Sequence, residues 1–188
     1  MKILGAIIAG GKSSRMGQEK ALMEFRGRPL IAEVAARLGA QVDALVINAN
    51  GDATRFQTLG LDVVPDRYET HSPLAGLHAA LSCGAEQGFD AVLTVPCDGP
   101  FLPLDLAARL KPVLPAIAAS QGQAHYLTGL WPSDLAALLD LELKSGLVRV
   151  MDWAALAKAR EVEWTAASGD PFANLNTPED FRAASAPK

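Results

Sequence analysis

Apolar residues follow two different periods along this chain, and the switching between them predicts alternating strands and helices. Residues 3–9 form one unbroken apolar run, the mark of a strand covered on both faces. Leu30, Val34 and Leu38 then recur at helical spacing, with Pro29 suited to the first helical position. Residues 44–48 are again compact and apolar, and they end in Asn48-Ala49-Asn50-Gly51. Strand, crossover helix, strand is the βαβ unit, and its repetition predicts a parallel sheet. A third strand is expected over 61–65, finishing at Asp66. Leu77, Leu81 and Gly84 share one face of the helix that follows, which Gly88 is placed to stop. Residues 91–95 make the next buried strand and deliver Pro96-Cys97-Asp98-Gly99-Pro100.

The second half carries a weaker pattern. A helix is expected over 103–110, ended by Pro112 and Pro115, with strands over 116–119 and 126–131. Ser133 is placed to cap a helix bearing Leu135, Leu138 and Leu139. Another helix over 150–159, a strand over 162–164 and a last helix opened by Thr177-Pro178 complete the body. Residues 183–188 are expected to form a flexible tail. With 188 residues and neither internal repeat nor linker, one domain over 1–188 is expected. The fold class expected is α/β, a single-domain Rossmann-like three-layer sandwich with a mostly parallel central sheet.

Composition narrows the functional classes. Half the residues are hydrophobic (49%) and a fifth charged (20%), which is ordinary for a folded globular protein. A net charge of −4 gives no footprint for a nucleic-acid backbone, so any phosphate must be met by local cations. Cys83 and Cys97 are not clustered at metal spacing and read as inert thiols, which fits a reducing, cytoplasmic setting. The first apolar run is too short to cross a membrane and lacks a secretory cleavage site, so no membrane association is expected.

Chemistry concentrates in Ile7-Ile8-Ala9-Gly10-Gly11-Lys12-Ser13-Ser14-Arg15-Met16-Gly17-Gln18-Glu19-Lys20. A strand runs into a loop with three glycines, paired hydroxyls and three cations. Such a loop can present bare N–H groups and positive charge to a polyphosphate. It is not a P-loop, which needs a glycine where Ala6 stands, and not a G-x-G-x-x-G dinucleotide turn, since Gly10 and Gly11 are adjacent. Asp66 and Asp98 each follow the C-terminal end of a predicted strand, the edge where open α/β sheets bind ligands. By position alone a lone aspartate after a strand, as Asp98 is, is more often a helix cap or turn former.

The loop resembles the signature Leu-Ala-Gly-Gly-X-Ser-X-Arg-Met-Gly-X-Asp-Lys of the molybdenum cofactor guanylyltransferases, within the nucleotidyltransferase superfamily. Ile8 stands for the leucine and Glu19 for the aspartate. The resemblance implies that Ile8, Ala9, Gly10 and Gly11 bind the nucleotide, the Ala9-Gly10 backbone reading the base and ribose region, while Arg15 and Lys20 hold the triphosphate. It implies that Asp98, in Cys97-Asp98-Gly99-Pro100, holds a catalytic Mg²⁺, a hard cation that suits one carboxylate plus phosphate oxygens. Asp66 matches an aspartate that contacts the nucleotide, ahead of Ser72-Pro73-Leu74-Ala75-Gly76, where Ser72 replaces a glycine. Asn48 aligns with an asparagine that helps select guanine. Asn174 and Asn176, two apart on an extended segment, match residues used on the pterin side. His125 resembles a family histidine, although Tyr126 replaces the usual proline. The segment 144–151, with Lys144 and Arg149, is a candidate second anion site for the acceptor phosphate.

The activity so implied is transfer of GMP from GTP to the terminal phosphate of molybdopterin or Mo-molybdopterin, releasing pyrophosphate. Molybdenum-cofactor insertion proteins or target molybdoenzymes are the implied protein partners. Two alternatives stay open at this level: a cytidylyl- or guanylyltransferase for another phosphorylated acceptor, and a non-catalytic GTP-binding regulatory module.

Overall fold

The computed structural model describes residues 1–10, 20–69, 72–165 and 169–185. Seven strands build the central sheet: β1 (Ile3–Ile8), β4 (Ala44–Asn48), β5 (Asp62–Val64), β6 (Ala91–Pro96), β7 (Ala116–Ser120), β8 (Gln123–Pro132) and β9 (Arg160–Trp164). Their order is β5-β4-β1-β6-β8-β7-β9. All neighbouring pairs are parallel except those made by β8, which runs against both β6 and β7. The mostly parallel α/β sheet expected from the run lengths is therefore present. A two-stranded ribbon, β2 (Glu24–Phe25) and β3 (Arg28–Pro29), is turned by Arg26 and Gly27, both with positive φ.

The sheet is covered on both faces, and β1 shows why its sequence is apolar throughout. Ile3 and Ile7 pack with Ile31, Val34 and Leu38 of α1 (Leu30–Gly39) and with Leu106 and Leu110 of α3 (Leu106–Leu110). Leu4, Ala6 and Ile8 pack on the other face with Leu74, Leu77 and Leu81 of α2 (Pro73–Glu86), Leu139 of α4 (Leu135–Lys144) and Trp153 of α5 (Val150–Leu156). Alternate residues of a strand point to opposite faces, so a strand buried on both must be apolar at every position. A third cluster, Phe25, Leu30, Leu175 and Phe181, seats α6 (Pro178–Ser185) and the segment before it against the β2–β3 ribbon.

Local departures have local causes. Ser133 does not cap α4: Asp134 stands at the N-cap without a side-chain bond, while the Ser133 hydroxyl is buried and unpartnered. α3 starts at Leu106 rather than 103, and α5 ends at Leu156 rather than 159. Residues 53–59 form a 3-10 helix that apolar spacing did not announce; the Asp52 side chain caps it by accepting from the Thr54 N–H at 2.9 Å. Among the described residues, no helix is long and apolar enough to cross a membrane.

Strand order reverses about the sheet's middle. From β1 the chain moves outward through β4 and β5, then returns across β1 to pair β6 on its other side. The crevice at the C-terminal ends of β1 and β6 is the topological switch point, the ligand site of open α/β sheets.

Candidate active site

Two polar clusters assemble at that crevice. The first centres on Lys20, which opens a 3-10 turn (Lys20–Leu22) anchored by buried Ala21. Its Nζ lies 2.5 Å from Asp98 Oδ2 and 2.5 Å from Asn176 Oδ1. The Lys20 and Asp98 side chains are 12% and 18% exposed, so the pair sits in a recess that a ligand can still reach. Asp98 is held just past β6 by its flanking backbone: the Cys97 N–H donates to Ile8 O (3.1 Å), and Asp98 O accepts from the Leu175 N–H (2.9 Å).

That last bond explains the spacing of the two asparagines. Leu175 is buried in the third core cluster while Asn174 and Asn176 are exposed, the period-two alternation of an extended segment. Asn174 Oδ1 lies over Gly99, 3.5 Å from where a Cβ would stand. Beyond Asn176 the chain enters α6 through a reciprocal cap. Asp180 Oδ2 accepts from the N–H groups of Asn176 and Thr177, both at 2.8 Å, while the Asp180 N–H donates to Thr177 Oγ1 at 3.1 Å. Those backbone donors hold the Asp180 carboxyl below its ordinary pKa.

The second cluster lies across β1, at the ends of β4 and β5. Asn48 is fully buried, and its Nδ2 donates to Val64 O (3.1 Å) and Asp66 Oδ1 (2.8 Å). Both amide hydrogens are thereby used, which fixes the amide orientation. Its Oδ1 has no hydrogen-bond partner. Asn50, two residues on, donates from Nδ2 to Asp66 Oδ2 (2.7 Å) and accepts the Asp66 N–H on Oδ1 (2.9 Å). Gly10 faces this group: a Cβ there would stand 3.4 Å from Asn48 Oδ1, 3.6 Å from Asp66 Oδ2 and 3.8 Å from Asn50 Nδ2. The Ala9 N–H donates to Asn48 O at 2.8 Å, continuing the β1–β4 ladder to the rim of the cluster. Gly76, in the first turns of α2, approaches from below; a Cβ there would fall 2.2 Å from Asn48 Oδ1.

Just past Asp66 the chain is tied to α4 and α2 through Tyr68. The Tyr68 hydroxyl donates to Asp140 Oδ1 on α4, and its ring meets His78 of α2 edge-on at 5.1 Å. Ser72, which replaces a glycine of the resembled motif, caps α2 by accepting from the Leu74 N–H at 3.1 Å.

His125 belongs to neither cluster. It sits on β8 beyond the stretch paired to β6, at the ligand edge of the sheet, with Nε2 2.8 Å from Ser120 Oγ. The Ser120 hydroxyl donates to Asp170 Oδ1 (2.6 Å), so His125 Nε2 carries the proton shared with Ser120 and Nδ1 is the acceptor. Burial pushes this imidazole below its usual pKa, against the opposing pull of Asp170, so it is neutral near pH 7. The ring rests on Phe172 at 4.8 Å, on the segment that leads to Asn174.

In the segment 144–151 both cations already have carboxylate partners and stand well exposed. Lys144 Nζ lies 2.6 Å from Asp140 Oδ2 and Arg149 Nε 2.7 Å from Asp152 Oδ2, so each cation is neutralised by a carboxylate close to it in sequence. Gly11 and Arg15 lie outside the described residues. Among the described residues no three His, Cys, Asp or Glu side chains gather to cage a metal. The structure also brings in Asn50, Ser120 and Asp170, and it sets Gly76, the last residue of the 72–76 motif, against Asn48. Of the first three, Asn50 alone had a signal, the same two-residue spacing from Asn48 that singled out Asn174 and Asn176.

Comparison with known proteins points the same way. The family described as "MobA-like NTP transferase domain" matches residues 5–161. The chain is 43% identical over 188 residues to the molybdenum cofactor guanylyltransferase of Cereibacter sphaeroides, covering 98% of this chain and 96% of that one. It is 44% identical over 186 residues to the enzyme of the same name from Rhodobacter capsulatus, covering 98% and 95%. In fold it is similar to the molybdopterin-guanine dinucleotide biosynthesis protein A of Archaeoglobus fulgidus, with a TM-score of 0.71 at 21% identity over 97% and 96% of the two chains.

Proposed function

The chain belongs to the MobA-like NTP transferase family, and on that premise we propose that it transfers GMP from GTP to the terminal phosphate of molybdopterin or Mo-molybdopterin. It is a nucleotidyltransferase, and enzymes of this family generally use a divalent metal. The observation that carries the reading is the convergence of Asp98 and Asn176 on the Lys20 Nζ at the sheet's switch point. On this reading the whole chain is one nucleotidyltransferase domain.

The choice of guanine rests on hydrogen-bond accounting. Asn48 Oδ1 and Asp66 Oδ2 are acceptors grouped at Gly10. Guanine offers two adjacent donors, its N1–H and 2-amino group, whereas cytosine and adenine present a bare ring nitrogen in the corresponding place. Two acceptors facing that nitrogen lone pair leave polar groups unpaired, which costs far more than a missing contact. This supports GTP over CTP.

Asp98 fits Mg²⁺ as a single hard carboxylate: among the described residues only its Oδ2 is engaged, by Lys20, and the absence of a protein cage leaves coordination positions for phosphate oxygens and water. Bound there, Mg²⁺ would neutralise phosphate charge. The acceptor needs no general base, because a phosphomonoester with a second pKa of about 6 is already anionic at neutral pH. One acceptor phosphate oxygen bonds to the α-phosphorus, the bond from that phosphorus to its bridging oxygen breaks, and pyrophosphate leaves with the electron pair. Lys20 offsets charge growing on the leaving group, with Arg15 as its sequence neighbour in that task. Asn174 and Asn176 line the same recess and would meet the acceptor there, with the neutral His125 further along the sheet edge, its Nδ1 able to accept from a pterin N–H. Molybdenum-cofactor insertion proteins or target molybdoenzymes would be the partners that take up this product.

The test is pyrophosphate release with each nucleoside triphosphate, with and without molybdopterin, across a Mg²⁺ titration. Release that needs GTP, Mg²⁺ and molybdopterin together is expected. A preference for CTP, or release indifferent to molybdopterin, overturns the proposal.

A further inference from the structure

Asn50 is an exposed residue that is nonetheless held at three points. Its amide makes two hydrogen bonds to Asp66, through Nδ2 (2.7 Å) and Oδ1 (2.9 Å), and its carbonyl accepts from Arg55 Nη2 at 2.6 Å. An exposed asparagine has little reason of stability to be fixed in this way, because ordering a side chain costs entropy. The network also fixes which end of the amide is which. Turning it over would set N–H against N–H and oxygen against carboxylate oxygen, so Nδ2 must face Asp66 Oδ2. That nitrogen carries two hydrogens, and only one is directed to Asp66.

Three atoms therefore gather about the bare Cα of Gly10: the unpartnered Oδ1 of buried Asn48, Oδ2 of Asp66, and Nδ2 of Asn50. In hydrogen-bonding terms they read acceptor, acceptor, donor. The Watson–Crick edge of guanine reads donor, donor, acceptor: the 2-amino group, N1–H and the position-6 carbonyl. We infer that Asn50 is a base-specificity residue whose second Nδ2 hydrogen is donated to the position-6 oxygen of guanine. This rests on GTP being the nucleotide and adds to the two acceptors a third reader, one that adenine and cytosine meet with an amino group and so repel.

The test separates reading the oxygen from merely supporting Asp66. Binding of GTP, 6-thio-GTP, ITP and CTP is measured in the presence of Mg²⁺ for wild type, Asn50→Ala and Asn50→Asp. 6-Thio-GTP keeps both donors and weakens only the position-6 acceptor. Wild type should bind GTP about tenfold more tightly than 6-thio-GTP, the scale of one hydrogen bond. In Asn50→Ala that ratio should fall to about one, while the GTP-to-ITP ratio, which reports the 2-amino group, stays as in wild type. Asn50→Asp keeps the acceptor for the Asp66 N–H but offers no donor. It should show the same loss of discrimination and the weakest GTP binding of the three. If Asn50→Ala weakens GTP and 6-thio-GTP by the same factor, or neither, Asn50 only braces Asp66 and the inference is wrong. If wild type itself does not prefer GTP to CTP, the guanine reading has failed instead, and this inference falls with it.

Discussion

Replacing Gly76 by alanine tests the packing that aims Asn48. The new Cβ would lie 2.2 Å from Asn48 Oδ1 and 3.1 Å from its Cγ, far inside contact distance. Asn48 has no room to retreat, being 0% exposed and bonded through Nδ2 to Val64 O and Asp66. Overpacking of this kind costs about 1–3 kcal/mol, and distorting the two hydrogen bonds adds roughly 1 kcal/mol. Alanine in a helix interior returns about 1 kcal/mol relative to glycine. The net loss should be about 2 kcal/mol, which for a chain of this size lowers the melting midpoint by roughly 4–8 °C. The decisive measurement is a double-mutant cycle with Asn48→Ala, followed by thermal and urea unfolding without nucleotide. Once the Asn48 amide is gone, the nearest remaining atom is Ile8 Cγ2 at 3.2 Å, a contact that gives way with a small shift. Gly76→Ala should then stabilise by up to about 1 kcal/mol, a coupling of about 3 kcal/mol, at the upper end for residues in contact. An equal loss in both backgrounds would refute the reasoning, because the cost would not come from Asn48.

The remaining predictions concern the recess and the α2–α4 side. Asp98→Ala should leave the unfolding midpoint close to wild type and abolish pyrophosphate release; retained GTP-dependent turnover would remove Asp98 from the site. Lys20→Ala should lower turnover by roughly 10²–10³-fold, the scale of one lost donor to developing charge; an unchanged single-turnover rate would exclude it. The His78 imidazole is pushed below its ordinary pKa by burial, with Asp140 and Glu86 opposing and Arg67 and Lys144 reinforcing the shift. Its folded form thus resists protonation. The stability it contributes is complete above the unfolded value of about 6.5 and is lost as pH falls from there toward the depressed folded pKa. Urea midpoints of wild type should fall between pH 7.5 and 5, and His78→Gln should flatten that slope; an identical slope in the variant would clear His78.

Periodicity marks most of the strands, because a strand buried on both faces and a helix buried on one leave signatures that no distant contact is needed to read. Residues 3–9 and 91–95 read as strands on that ground, whereas β8 is longer than its pattern indicates, since its first residues carry no apolar pattern, and its antiparallel direction is set only by pairing with β6 and β7. The glycine-and-cation loop, Asp98 and the Asn174–Asn176 pair could likewise be picked out from residue type and local spacing. What they do together could not. Lys20 and Asn176 are 156 residues apart in sequence and meet only because Leu175 is buried beside the β2–β3 ribbon and its N–H bonds to Asp98 O. The same holds for 144–151: charge is visible in a sequence, but the pairing of Lys144 with Asp140 and of Arg149 with Asp152 depends on rotamers and helix register. Asn48, Asn50 and Asp66 carry their hydrogen-bonding groups in the sequence, yet which groups remain unspent is decided only when β4, β5 and the turn at Gly10 are folded together. Hydrogen-bond capacity belongs to the residue, whereas vacancy belongs to the fold.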